Sequence, residues 1–599
     1  MKKKERTPRK KPCLPLRIIR WIFRQLGRIL AVIILAGILC GCIAGSIAVL
    51  DVVENRGGSY YEKFEGLVVS SAKKVLGKLG LGREGANAYS EEFIVTGLEE
   101  MQAAQAETDA LLLAELESSA YSPEAPFVLV NPYGHSPLSA IVMFTTEQPA
   151  KVSIRVPGDT ALADAGYDFA DYETNHSIPV YGLYAGRINE VEFTLRFEDG
   201  KKQQFTVPVE TEALPDALSH EVVRAHVLDA DAYQPGFNFT YMGNADESKA
   251  AIDANGAYRW YLDTSNGILA AAGYCANYNG GNSIFFSCGN RSYGAVAIME
   301  MNYLGKLLNA WVAPYGAHHD IEVTGDTILV TGSGDEKVKE DFLYEIDRES
   351  GEIITTLDYD TMLQVQRDQT VDYPEITNFY DPSDWLHMNS IVEWQDDLII
   401  SSRHQSTVIC NDREGNIKWM LCDPTDYYVY FDQYILTPVG DDFEYPYIQH
   451  AVEVMPDQDN NPDTLDIILF DNGDFRKEVK DCYSRMVQYR INEKEMTVEQ
   501  IWEYGSDRTE LFSYRHGDAD LLENGNRLGS FEPFDMKNET YCAYGIELKE
   551  DKTPVWECWR YSTGSNQEYI EYRLERLEIY GEGANDLHLG EEAKLYLPG

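Results

Sequence analysis

The residues best suited to chemistry stand in the stretch Trp385–Arg403. Asn389 to Trp394 reads as a strand, Gln395-Asp396-Asp397 as a polar turn, and Leu398 to Ser402 as a strand running back. His387 enters this hairpin and Arg403 leaves it, so both stand at its open end. A neutral imidazole beside a fixed guanidinium suits an anion with several oxygens. Burying a core requires neither.

Three further histidine sites precede strands in equivalent places. His318-His319-Asp320 leads into Ile321–Val330, Gln449-His450 into Val452–Phe470, and His516-Gly517-Asp518 into Ala519–Gly529, as His387-Met388-Asn389 leads into Ile391–Ile400. Cys275 holds the same place before Ser283–Cys288. One such histidine alone reads as a packed structural residue; with only 11 His in the chain, four sites in register point to function. Two chemistries suit them. Imidazoles with Asp320 or Asp518 could hold a divalent ion. No His pair at chelating spacing fixes such a site, and Arg403 opposes it by charge, so no metal and no cofactor is expected. The other is nucleophilic transfer: one neutral imidazole attacks, while the remaining histidines and Arg403 hold an oxyanion and protonate the leaving oxygen.

A repeat is what could bring such residues together. From about Ser219 one unit recurs: a short strand, an Asp- or Asn-bearing turn, then a strand usually centred on Trp. The copies are Ile252–Trp260, Met301–Trp311, Ile346–Ile354, Cys410–Trp419, Ile491–Trp502 and Leu548–Trp556. Six copies predict a six-bladed β-propeller, in which the first strand of each blade starts at one mouth of the central channel. The competing reading is a set of hairpins in a large sandwich.

The rest of the chain reads as support. Residues 1–28 carry eleven Lys/Arg against one acid, so the remainder carries −57 of a total −47. A domain this acidic repels nucleic acid. Ile29–Leu50 is an uncharged run of 22 residues, long enough to span a bilayer. Its basic flank predicts a cytoplasmic tail, with the later domains outside the cell membrane. Residues 51–120 read as a helical stalk or a helical flank packed on the next domain. Short strands with Gly and Pro between them, over 121–217, suggest a small β-sandwich; Lys151–Arg155 and Glu192–Arg196 also alternate apolar with polar residues. The propeller would occupy 218–599. Cys275/Cys288, Cys410/Cys422 and Cys542/Cys558 are spaced for disulfides or for buried free thiols.

Residues Tyr315 to roughly Pro533 resemble the bacterial arylsulfate sulfotransferases. The resemblance is carried by His318-His319-Asp320, Asp384-Trp385-Leu386-His387-Met388-Asn389-Ser390, Ser401-Ser402-Arg403, Gln449-His450, Phe470-Asp471-Asn472-Gly473 and Asn524-Gly525-Asn526. Asn131-Pro132-Tyr133-Gly134, with Pro137-Leu138, resembles the start of that family's N-terminal β domain. The resemblance implies transfer of a sulfuryl group from a phenolic sulfate ester to a phenolic acceptor, without a nucleotide, on a six-bladed propeller. It implies that His450 is the nucleophile and is transiently sulfated. His387, Asn389, Arg403 and His319 or His318 would then hold the sulfuryl oxygens. His516 is added from the ring argument alone. The anchor and stalk depart from the family's periplasmic pattern. Two other functions suit the same residues: a non-catalytic extracellular propeller binding an anion, and a metal-dependent hydrolase.

Overall fold

The computed structural model describes residues 91–596 except 119, 243–248, 266, 279–281, 290–294, 335–339, 373–383, 475, 477–481, 536–539, 563–570 and 582. The expected basic tail and membrane anchor lie outside the described residues. Among those described, no helix is long and apolar enough to cross a membrane.

The first element is a helix, α1 (Glu91–Ser118). Ile94, Leu98, Gln105, Asp109 and Leu112, spaced three, four or seven apart, form its buried face. Gln105 exchanges two hydrogen bonds with the backbone of Leu307, at 2.9 and 3.0 Å. Asp109 takes Lys306 Nζ at 2.6 Å and the Tyr133 hydroxyl at 2.6 Å. Over 91–118, therefore, the chain is a packed flank rather than a projecting stalk.

The structure beyond the helix is mainly β. A six-stranded sheet covers 127–210. Its long strand Ala140–Val156 pairs through its first half with Phe127–Val130 and Glu173–Val180, and through its second with Ile188–Phe197 and Ala165–Asp168. The alternation expected around Phe193 and Leu195 holds, with both side chains buried between exposed neighbours.

From 221 onward the strands form mainly antiparallel sheets of four and five strands, one of eight and one of two. The repeat turns have a common cause. Asp253, Asn302 and Asp412 each accept, on one side-chain oxygen, the N–H groups two and four residues on, at 2.8–3.1 Å. Gly256, Gly305 and Gly415 follow with φ of 84°, 87° and 84°. Trp260, Trp311, Trp419 and Trp556 from the repeats are fully buried.

Two strands of the eight-stranded sheet and one from each four- or five-stranded sheet lie in succession against one another. In chain order these are β1 (Ala272–Asn277), β2 (Leu307–Thr324), β3 (Met388–Trp394), β4 (His450–Val454), β5 (Asp518–Leu521) and β6 (Glu571–Leu577). Side chains staple neighbours that share no ladder. Asp320 of β2 accepts Ile391 N–H of β3 at 2.8 Å, Ser390 of β3 accepts Val452 N–H of β4 at 3.0 Å, and Asp518 of β5 accepts Leu574 N–H of β6 at 2.9 Å. Edge N–H groups buried without such partners would each cost about 1–3 kcal/mol.

The spacing-based disulfide expectation is not met. Cys288, Cys410, Cys422 and Cys558 are buried free thiols, and burial pushes the pKa of Cys288, the first of them, up to about 12. Nothing is described of the Cys275 side chain.

Candidate active site

Irregular backbone aims the site residues. Each stands where its strand slips register against its partner: His318 and His319 between Ala317 and Ile321, Asn389 between Met388 and Ser390, His450 at the start of the slip to Glu453, and Tyr572 between Glu571 and Leu574. A bulge turns a side chain out of the pleat and ends local pairing. His319 and His387 also have φ of 56° and 54°, and Ala451 beside His450 has φ of 50°. Non-glycine residues enter this left-handed region at a cost, which the surrounding packing must hold in place.

The convergence expected from the sequence is observed. His319 stacks within 4.5 Å of His387 and 4.1 Å of His318, ring centre to ring centre, and His450 lies 6.4 Å from His516. Tyr572 joins the two groups, its ring 5.7 Å from His319, 6.3 Å from His450 and 5.5 Å from His516. Asn389 is fully buried and donates its amide to the Gln449 carbonyl at 2.7 Å, which ties β3 to the backbone just before His450.

The hydrogen-bond directions assign protons. The Asn389 carbonyl only accepts, so the Tyr572 hydroxyl donates to it at 3.2 Å. The Tyr572 oxygen then accepts from His319 Nδ1–H at 3.0 Å. With the His319 ring neutral, as its burial favours, its Nε2 carries the lone pair and accepts from His387 Nε2–H, 2.8 Å away. The other nitrogen of His387, Nδ1, lies 2.6 Å from Glu340 and 3.0 Å from Asp384. A nitrogen between two carboxylates carries its proton, so His387 is an imidazolium. Arg403 donates to His404 Nε2 at 3.0 Å, and His404 Nδ1 donates to the Asp384 carbonyl at 2.7 Å, which makes His404 neutral.

The electrostatics agree. Burial pushes His319, His404 and His450 well below the usual imidazole range, with His318 and His387 adding to it at His319, His387 and Arg403 at His404, and Arg403 at His450. Burial also opposes the charge on His387, but Glu340 and Asp384 outweigh it and push that imidazole up to about 9.

Glu340 is the largest addition to the sequence reading. Its carboxylate touches His318 at 3.0 Å, His319 at 3.4 Å and His387 at 2.6 Å. It lies in the run Asp335-Glu336-Lys337-Val338-Lys339-Glu340-Asp341, whose composition reads as a solvated turn, so no local signal marks it. His404, next to Arg403, and Tyr572, one of 39 Tyr, were equally silent. Asp320 and Asp518, considered with the histidines as metal ligands, are turned away to the stapling contacts above and, for Asp320, to Arg573 at 3.0 Å. Two other groups have ligand atoms close enough to share an ion: His318–His319–Glu340 and Asp384–His387–His404. His516 is held apart from these by Glu532, which accepts from its Nδ1 at 3.0 Å.

Comparison with known proteins gives consistent matches. The family described as arylsulfotransferase (ASST) matches residues 225–573, and the one described as arylsulfotransferase Ig-like domain matches residues 127–212. The arylsulfate sulfotransferase AssT of Escherichia coli O6:H1 (strain CFT073) is 24% identical over 497 residues, spanning 64% of this chain and 80% of its own. The protein of the same name from Lelliottia amnigena is 24% identical over 500 residues with the same shares.

Proposed function

Since the chain belongs to the arylsulfotransferase family and is an aryl-sulfate sulfotransferase, we propose that it works by a nucleotide-independent ping-pong reaction through a sulfated His450. Membership of an enzyme family replaces the non-catalytic alternative. The observation that carries the mechanism is the division of protonation states: one buried neutral imidazole without a carboxylate partner, His450, in a site that also holds one imidazolium, His387.

In the first half-reaction the lone pair of His450 forms an N–S bond as the aryl O–S bond breaks. The electron pair leaves with the phenolic oxygen, which takes a proton from the His387 imidazolium. An acid of pKa about 9 is well matched to a phenol of about 10. A sulfate monoester spreads one negative charge over three oxygens, and its transition state is loose by analogy with phosphoryl transfer. Placement and charge then do most of the work. Arg403 supplies a permanent charge, and His319, His318, Asn389 and His516 complete the surround of the sulfuryl group. A second phenol reverses the steps: it gives its proton to His387 and takes the sulfuryl group from His450.

The same reading takes the sheets from 218 to 599 as six blades about a channel. The ring of neighbouring strands, the stapling contacts and the repeated turns support it. It takes 121–217 as a separate small β-sandwich domain and 29–50 as a single-pass anchor that leaves the site outside the cytoplasm. Protease digestion of intact against permeabilised cells tests the last point, since cleavage only after permeabilisation would refute it.

The deciding assay uses the protein with a chromogenic aryl sulfate, with and without added phenol. Phenol-dependent release that His450→Ala and His450→Asn both abolish is expected; turnover retained by either variant would sink the nucleophile assignment. The His318–His319–Glu340 group favours one other reading, a metal-dependent hydrolase. That reading requires release without phenol and inactivation by a chelator.

A further inference from the structure

His450 is 3% exposed, and its Nδ1 lies 2.7 Å from Oδ1 of Asn472. Asn472 is itself fully buried. Its other amide atom, Nδ2, is 2.7 Å from the Ser513 carbonyl and 3.0 Å from the His516 carbonyl. Two carbonyls can only accept, so this atom is the NH2 group and the oxygen is the atom turned to His450. An amide oxygen also only accepts, so His450 Nδ1 must carry a proton. The neutral ring then has its lone pair on Nε2.

The support around Asn472 is built to keep that orientation. Its backbone carbonyl accepts from the Ser484 hydroxyl at 2.8 Å, and Ser484 Oγ in turn accepts Ser513 N–H at 2.8 Å. On the other side Gly473 takes φ of 72° and donates its N–H to Tyr447 at 2.9 Å, and a Cβ there would stand 2.0 Å from the Tyr483 carbonyl. Only glycine can hold the turn, and the turn holds the amide.

We propose that Asn472 is a positioning residue for sulfuryl transfer: it locks His450 in the Nδ1–H tautomer, so that Nε2 is the atom that takes the sulfuryl group. The inference rests on the reading of His450 as nucleophile. It also has a consequence for the second half-reaction. With Nδ1–H retained and accepted by Asn472, the sulfated ring is a cation, and the N–S bond breaks toward a neutral imidazole. A ring that lost this proton would have to leave as an anion.

The test reads the tautomer and the chemistry separately. In 15N-histidine-labelled protein, with His450 assigned by difference from His450→Gln, Nδ1 should be protonated and Nε2 should show the shift of a bare nitrogen. Asn472→Leu should mix or invert that pattern and slow phenol-dependent transfer by roughly 10²-fold or more. Asn472→Asp keeps size and acceptor while adding a charge. It should retain the tautomer and move the acid limb of the pH–rate profile up by at least one unit, which a purely structural role would not do. A wild-type His450 protonated on Nε2 overturns the proposal, as does Asn472→Leu with unchanged shifts and a rate within about threefold of wild type. If Asn472→Leu does not fold, the Asn472→Asp profile decides. If the tautomer is as stated but His450→Ala still turns over, the nucleophile reading is what fails, and with it the role in transfer.

Discussion

Strands β2, β4, β5 and β6 carry opposite chemistry at points only a few residues apart. They carry His319 within β2, His450 at the start of β4, His516 just before β5 and Tyr572 near the start of β6. Two to four residues on they bear Glu322, Glu453, Asp518 and Asp520, and Glu575, which line a cavity of about 690 Å³ around Arg573. Burial acts alike on both regions, since it disfavours charge. It pushes His319, His404 and His450 down and Glu322, Glu453 and Asp520 up, toward the neutral form in each case. Each region nonetheless holds a cation against that pressure. His387 is held by Glu340 and Asp384. Arg573 is held above the usual guanidinium range, against the burial that would lower it, by Asp320 first. The difference is what the charged group is for. The imidazolium can give up its proton within the working pH range and the guanidinium cannot, so the histidine end is suited to chemistry and the carboxylate end to holding the strands.

That contrast breaks first at His450. His450→Ala should lower transfer on the order of 10⁴-fold while leaving the melting temperature essentially unchanged; a comparable loss of stability would mean that the two ends are not separable. Arg573→Met should do the reverse. It strands buried carboxylates without their cation, at a cost of about 3–5 kcal/mol, visible in denaturant unfolding, while the activity per folded molecule stays near wild type.

Two smaller effects sharpen the comparison. Glu340→Gln removes the larger of the two charges that raise His387, so the imidazolium loses its proton at lower pH. The alkaline limb of the pH–rate profile, expected near 9, should move down by at least about one unit; an unmoved limb would assign the acid elsewhere. At the other end, burial, with Asp320 and Asp518 adding to it against Arg573, pushes Glu453 up to about 8. The folded state therefore binds an extra proton between about 4.3, the unfolded value, and 8. Stability contributed in that way is present at low pH and declines as pH rises through the window. Glu453→Gln should raise the melting temperature by about 2–4 °C at pH 8.5 and leave it unchanged near pH 4.

Much of this was legible in the residues. The repeat turns announced themselves because Asp253, Asn302 and Asp412 cap their own turns through contacts no more than four residues away. The alternation at Phe193 and Leu195 marked a half-buried strand. His319, His387 and His450 stood out because rare, chemically capable residues recurred at equivalent places before strands, and Arg403 because it leaves the hairpin that His387 enters. Spacing misled where it stood for distance: Cys410 and Cys422 are near in sequence, yet both are free.

The sequence by itself determined the histidines and the arginine of the site and the order in which they reach it, because strand period, turn chemistry and residue type are local properties. Only the tertiary structure decided the protonation states. Those depend on Glu340 reaching His387, on Tyr572 crossing from the last sheet to His319, and on carbonyls of Ser513 and His516 turning Asn472 toward His450. Each of these contacts joins residues between 22 and 253 positions apart, or depends on one that does, and proton placement follows distance in space rather than in sequence.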